Sequence, residues 1–513
     1  MPVYNRAGSH VTRGAAGGCP FLEDTVHIIK GIRRQRTVLS VLLSMLVVIG
    51  MPALAVASGA QGAEAAHDWP FYTIVPFVLL LLAIAIMPLK FPHFWESNRN
   101  KGIVVAAVSA PVLVFLLIVN PHELVEKLHE YLSFIVLLWS LYTISGGIVL
   151  RGNLKATPGV NTAFLGIGAI IANLFGTTGA SMLLIRPLLR TNQERELKVH
   201  TVVFFIFVVS NIGGCLTPLG DPPLYMGFMD GVPFQWTLKL WPQWLLMNGL
   251  LLTIYYIWDS RRYKQEKPAA LALDTAEKVP LRIDGKVNIA LILGVVAAVA
   301  LSGLVVDFAV ARGWATEAGK GALGVKVGWI RDGILVALGI LSIILTKKQY
   351  REDNEFNFGA ITEVAVLFIG IFITMIPALV ILSANGDALG VKEPWQFFWI
   401  TGALSSFLDN TPTYLVFLEL AKETIGVEHA SEVARQGVEI LKAISLGAVF
   451  MGANTYIGNG PNFMVKAIAE AKGRAHVAMP SFGGYMLYSF CILIPLFIII
   501  TLLSFVLKLP LFY

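Results

Sequence analysis

Charge is scarce in this chain. Only 14% of its 513 residues are Asp, Glu, Lys or Arg, against 56% hydrophobic, a ratio that leaves too little polar surface to cover a water-soluble globule of this length. Cysteine is scarcer still. The three present, Cys19, Cys215 and Cys491, have no metal-ligand spacing, and two lie in apolar segments where a thiol packs as a small hydrophobe. No disulfide framework and no zinc site follow. Nor does the formal net charge of +6 signal nucleic acid, because the basic residues sit in short loops between apolar runs, where they act as topology signals.

What the chain has in abundance is apolar runs of about twenty residues, each long enough to cross a bilayer core. It reads as an all-α polytopic membrane protein. "RRQR" (Arg33 to Arg36) precedes an apolar run, Thr37 to Val56, and small residues in "ALAVASGA", so residues 1–57 are expected to be a leader with a signal-peptide-like segment; an uncleaved first helix is the alternative. Residues 58–100 then hold a first transmembrane helix (70–89) and a basic inner loop. Helices follow over 102–119 and 131–150, with the acidic "PHELVEKLHE" (Pro121 to Glu130) outside and "RGNLK" (Arg151 to Lys155) inside.

Two segments do not read as simple spans. The stretch 160–189 is interrupted by "GTTGAS" (Gly176 to Ser181), and 395–420 by "SSFLDNTPTY" (Ser405 to Tyr414); each is expected to be a re-entrant hairpin, the first entered from the cytoplasm and the second from the periplasm. Two helices are expected to be broken, 201–230 at "TPLGDPP" (Thr217 to Pro223) and 441–469 at "TYIGNGPN" (Thr455 to Asn462). Helix 237–258, a basic cytoplasmic loop over 259–286, and helices 287–306, 330–345, 362–383 and 485–507 complete the count.

The breaks repeat. "GCLTPLGDPPLYM" (Gly214 to Met226) aligns with "GANTYIGNGPNFM" (Gly452 to Met464) at an offset of 452 − 214 = 238, with Gly, Thr, Gly, Pro and Met coinciding. Hairpin then broken helix therefore occurs twice, in repeat 1 (101–258) and repeat 2 (287–513), and the parity of crossings makes the units inverted. Irregular backbone at membrane depth survives only buried in protein or facing a polar cavity, which is the design of an inverted-repeat secondary transporter.

Asp409 is the sharpest chemical signal, since a charged residue at a helix centre costs about 2.5 to 3.5 kcal/mol on insertion scales and persists when paired, hydrated or functional. Such a carboxylate can hold a proton or a metal cation. Its structural alternative is an N-cap ahead of Pro412. Asn410, Thr411 and Thr413, with Asn454, Thr455, Gly458, Asn459 and Asn462 in the neighbouring break, offer the neutral oxygens that hard cations prefer, or else satisfy freed backbone groups. In repeat 1 the tip carries Thr177, Thr178 and Ser181 without an acid, while the break carries Thr217, Gly220 and Asp221, the last where repeat 2 has Asn459. An Asx turn into Pro222 and Pro223 is the alternative for Asp221. Sodium ligands are expected among Asp409, Asn410, Asn459 and Asp221. Arg186 and Lys466 lie beyond their breaks and read as snorkelling cations, and Glu363 as an interfacial acid.

At "FLDNTPT" (Phe407 to Thr413), "GANTYIGNGPN" (Gly452 to Asn462) and "TPLGDPP" the chain resembles the ion transporter superfamily over roughly residues 102–507. It is most similar to the citrate transporters also labelled sodium:proton antiporters, related to NhaD-type antiporters and arsenite permeases. The resemblance implies sodium sites between each hairpin tip and its adjacent break, elevator-like alternating access, and a homodimer formed through scaffold helices. Asp409 and Asn410 match the Asp-Asn of the antiporter branch; the Ser-Asn-Thr clamp of the dicarboxylate branch is not reproduced.

Four functions remain open on these residues: sodium/proton antiport at an intramembrane aspartate, sodium- or proton-coupled citrate or dicarboxylate symport, oxyanion export, and, from another class, intramembrane aspartyl proteolysis. The expected setting is a bacterial inner membrane, with lipids and a small cation or carboxylate as partners and no cofactor beyond coupling ions. No enzymatic activity is expected of the three transport readings.

Overall fold

The computed structural model describes residues 69–276, 279–314, 320–385, 389–471 and 475–512; the signal-like segment, Lys472 and Arg474 lie outside these. Among the described residues eight helical segments are long and apolar enough to cross a membrane, one of them folded back as a hairpin, and the only strands form one short ribbon. Helices α1 (Val75–Lys90), α2 (Asn98–Val119) and α3 (Pro121–Ser145) come first. Strand β1 (Val149–Asn153) follows, then the hairpin α4 (Pro158–Thr191), the half-helices α5 (Val199–Val208) and α6 (Pro222–Met229), and α7 (Trp241–Tyr263). Strand β2 (Val279–Asp284) precedes α8 (Val287–Ala311), α9 (Lys320–Leu345) and α10 (Gly359–Asn385). The chain ends with α11 (Pro394–Ser405), α12 (Asn410–Ile425), α13 (Val438–Met451), α14 (Gly460–Ala469) and α15 (Phe482–Ile500).

One expected loop is a helix. Pro121 to Glu130 forms the first turns of α3, because Asn120 caps them by accepting the N–H of Glu123 at 3.2 Å and Pro121 stands at the first position, where its missing N–H costs nothing. The charges that suggested a loop are paired in place, Lys127 with Glu130 at 2.8 Å. At the other end α3 stops at Ser145, so residues 149 and 150, expected in the helix, belong to β1.

Helices α1, α2, α3, α8, α9 and α10 pack as one group, with small residues at the closest crossings: Gly370 of α10 lies against Val105 of α2, and Gly339 of α9 against Trp139 of α3. Their outer surfaces are apolar and exposed, as at Ile118, Ile330 and Ile344, which suits lipid as the solvent. The second group holds α4 to α7 and α11 to α15.

The loops expected on the cytoplasmic side meet at one end of the molecule. Strands β1 and β2 pair antiparallel, Arg151 opposite Arg282, and Arg151 also donates to Asp284 at 2.7 Å. Arg351 donates to Thr143 O at 2.8 Å, Asn354 to Ile148 O at 2.6 Å, and Asn98 to Gly359 O at 3.3 Å. The opposite end is closed by Lys422 with Asp230 at 2.9 Å and by Trp236 Nε1 donating to Ala434 O at 3.1 Å.

Both hairpins are present and start from opposite ends. Hairpin α4 reverses at Gly176 (φ 72°, ψ 155°), a conformation that favours glycine, so that Asn161 and Asn192 meet at its base at 2.9 Å, near the basic end. In the second hairpin α11 and α12 bring Phe397 and Phe417 to a 6.4 Å centroid separation, and Thr424 reaches Val391 O at 3.5 Å at the opposite end.

The base of the first hairpin is held by a buried charge cluster outside the expected motifs. Arg195 bonds Asp259 through both carboxylate oxygens (2.6 and 3.0 Å) and Glu266 at 3.3 Å, while His200 and Asn161 also reach Asp259, at 2.8 and 3.2 Å. Arg195→Ala would leave two buried carboxylates without their shared guanidinium, a loss of about 3 to 5 kcal/mol for a pair broken from one side. We expect a clearly lower melting temperature in detergent, partly restored by Arg195→Lys; native-like melting of the alanine variant would show that the cluster does not hold the hairpin.

Candidate functional site

The two broken helices share one local geometry. After α5 the chain leaves helical conformation, makes a 3-10 turn over Ile212–Gly214, and restarts as α6 with Asp221 at the N-cap position (φ −142°, ψ 143°). After α13 it makes a 3-10 turn over Gly452–Asn454 and restarts as α14 with Asn459 at the N-cap (φ −153°, ψ 140°). The aligned glycines are needed where they stand: a Cβ on Gly214 would lie 2.7 Å from Gly220 O, and one on Gly458 2.6 Å from Gly452 O. The 238-residue offset is therefore a geometric equivalence, and residues shared between the breaks are those on which the turn depends.

Each hairpin tip touches a break. Thr177 donates its N–H to Gly220 O at 2.8 Å and its hydroxyl to Asp221 Oδ1 at 2.7 Å. In repeat 2, Thr455 donates to Ser406 O at 2.5 Å and Asn454 to Ser406 Oγ at 2.9 Å.

The two halves join at Asp221, which is 1% exposed. Besides Thr177, it accepts from Asn410 Nδ2 of the second tip at 2.6 Å and from Asn459 Nδ2 of the second break at 3.2 Å. One carboxylate thus touches both tips and the opposite break. Among the described residues no lysine or arginine pairs with it. Asp409 is placed differently. It is half-buried, caps α12 by accepting the Thr411 N–H at 3.0 Å, and its carbonyl accepts the Thr413 hydroxyl at 2.9 Å. Its contacts are those of a helix cap, whereas Asp221 is the expected aspartate that touches both tips and the second break.

The remaining expected residues divide. Asn462 joins the core network by accepting from Asn211 at 2.7 Å and donating to Gly452 O and Thr455 O at 2.8 and 2.9 Å. Ser181 meets Ser210 at 2.8 Å, and Thr217 donates to Asn173 O at 2.5 Å; neither reaches Asp221. The Thr411 hydroxyl makes a 3.4 Å contact to Asn410, and Thr178 lines a small cavity with Thr177, Asp221 and Tyr225 against Leu137 and Leu141 of α3. Away from the site, Arg186 pairs with Glu355, Lys466 with Glu470 and Glu363 with Lys101.

Several residues were not expected. Asn211 bridges the breaks, and Asn173 wires the first one by donating to Gly213 O at 2.7 Å and accepting the Leu216 N–H at 2.8 Å. Ser405 and Ser406 seat the second tip. The signal was available, since Asn173 and Asn211 are polar residues in otherwise apolar runs. Within α9, Arg331 and Asp332 form a buried pair at 2.8 Å, with Ser133 of α3 bonded to Asp332; this pair stands apart from Asp221.

Membrane-length helices enclosing two hairpins and two helix breaks around a buried carboxylate define an all-α polytopic membrane protein. Residues 66–505 match the family described as "Putative citrate transport", and the chain belongs to that family. It is accordingly a multi-pass secondary transporter. No curated protein matches the chain.

Proposed function

We propose that this transporter exchanges sodium ions for protons at Asp221. The observation that carries this reading is the meeting of both tips and the second break on one buried carboxylate that has only hydroxyl and amide partners. A proton and a sodium ion each neutralise such a group inside a membrane, and occupancy by one excludes the other. Sodium takes oxygen ligands; Thr177, Asn410 and Asp221 supply them, and the carbonyls of Gly452, Ser405 and Ser406, all within 3.1 Å of a Cβ placed on Gly458, form a second group. The end bearing Arg151, Arg282 and Arg351 would face the cytoplasm of a bacterial cell. Intramembrane proteolysis would need two carboxylates sharing a water, whereas Asp409 caps its own helix.

Citrate symport is a second reading, favoured by the family. Against it, neither tip carries a basic side chain, although half-helix N-termini can bind a carboxylate unaided.

Liposomes holding a trapped pH dye test both. External sodium chloride without carboxylate is expected to change internal pH, and labelled citrate is not expected to accumulate. A flat dye trace together with sodium-dependent citrate uptake would replace the first reading with the second.

A further inference from the structure

The polarity of the buried amides around Asp221 follows from backbone that cannot turn. Gly452 O and Thr455 O accept from Asn462, so the Asn462 oxygen faces Asn211. The Asn211 N–H groups go to that oxygen at 2.7 Å and to Ile206 O at 2.8 Å, which leaves the Asn211 oxygen facing Asn459. Asn459 therefore presents its N–H groups, shared among Asn211 Oδ1 (3.1 Å), Ser210 O (3.2 Å) and Asp221 Oδ1 (3.2 Å). All three asparagines are at most 3% exposed, so reversing one would set oxygen against oxygen without water to intervene.

Asn410 differs. Its amide donates to Asp221 at 2.6 Å, and its oxygen receives only the 3.4 Å contact from Thr411. Among the described residues no backbone carbonyl holds it, so it can turn its oxygen toward an arriving cation.

We infer that Asn410 is the amide that ligates the cation, that Asn459 is a locked donor opposing it, and that Asn211 is the positioning residue that, with the Ser210 carbonyl, holds Asn459 in that orientation. This rests on the cation reading of Asp221 and revises the expectation that Asn459 is a sodium ligand. A donor aimed at Asp221 occupies a lone pair and turns a partial positive charge toward the ion. Relaxing it strengthens cation binding, while losing a true ligand weakens it.

The test is the sign of the change in half-saturating sodium at fixed pH, on full-length protein in liposomes. Asn211→Ser replaces the amide by a hydroxyl that imposes no polarity; half-saturating sodium is expected to fall about threefold, and to fall also in Asn462→Ser, whereas Asn410→Ser raises it about tenfold. Damage to the fold alone would lower the maximal rate without tightening sodium. A rise or no change in Asn211→Ser overturns the inference. For any variant that does not reconstitute, the sodium concentration that half-stabilises the detergent-purified protein against heat gives the same sign. If native protein shows neither transport nor a thermal response to sodium, the cation reading itself fails; if native protein responds and the variants do not shift, only the relay fails.

Discussion

Asp221→Asn is expected to abolish sodium-driven proton movement, lowering the dye response by about 100-fold or more, while Asp409→Asn retains a measurable rate. The asparagine is nearly isosteric with Asp221, so the junction of tips and break keeps its shape, but the site loses the charge that a proton or sodium ion neutralises. At position 409 asparagine caps a helix as well as aspartate does. Any loss there reports the missing charge and not a frayed α12. Equal melting temperatures for native protein and both variants would establish that the comparison is chemical. If Asp409→Asn is the dead variant and Asp221→Asn works, exchange takes place at the tip of the second hairpin and Asp221 is a structural acceptor.

That ranking reverses the one the sequence suggests, for a physical reason. Sequence registers a residue's local context, in which Pro222 and Pro223 give Asp221 a ready turn role while Asp409 interrupts the expected hairpin 395–420. It does not register partners brought together by folding: Asn410 and Asn459 reach Asp221 across 189 and 238 residues, and Asn211 reaches Asn462 across 251. The hairpins and breaks were legible because glycine, proline and polar residues cluster there, whereas single prolines such as Pro111 and Pro377 stay within helices. The pairing of the breaks was legible because the Gly214–Gly220 and Gly452–Gly458 approaches tolerate no side chain. The start of α3 differs from the expected loop because charge alone does not distinguish a loop from a capped helix start, and Asn120 with Pro121 forms the latter. Arg331 and Asp332 stand at the start of the expected helix 330–345, where charge suits a water-facing end, but α9 begins near residue 320 and carries the pair into its interior.

The close approach at the second break joins an expected loss of stability to an expected loss of exchange. A Cβ on Gly458 would stand 2.6 Å from Gly452 O, 2.7 Å from Ser405 O and 3.1 Å from Ser406 O. These are backbone atoms of the break and of the seated tip, so relief requires separating the tip from the break and not merely turning a side chain. Overpacking a tight site typically costs about 1 to 3 kcal/mol, and with three fixed oxygens the upper end is expected. Gly458→Ala should therefore be poorly recovered, melt well below native protein in detergent, and give no exchange. Gly460, two residues on and at the start of α14, has nothing within 4 Å of such a Cβ, so Gly460→Ala should be neutral or slightly stabilising. The pair separates two causes of damage: if both variants melt low, the start of α14 rejects alanine for reasons of its own, and if both melt like native protein, the tip and the break are not seated on each other and the cation position between them is lost with that contact.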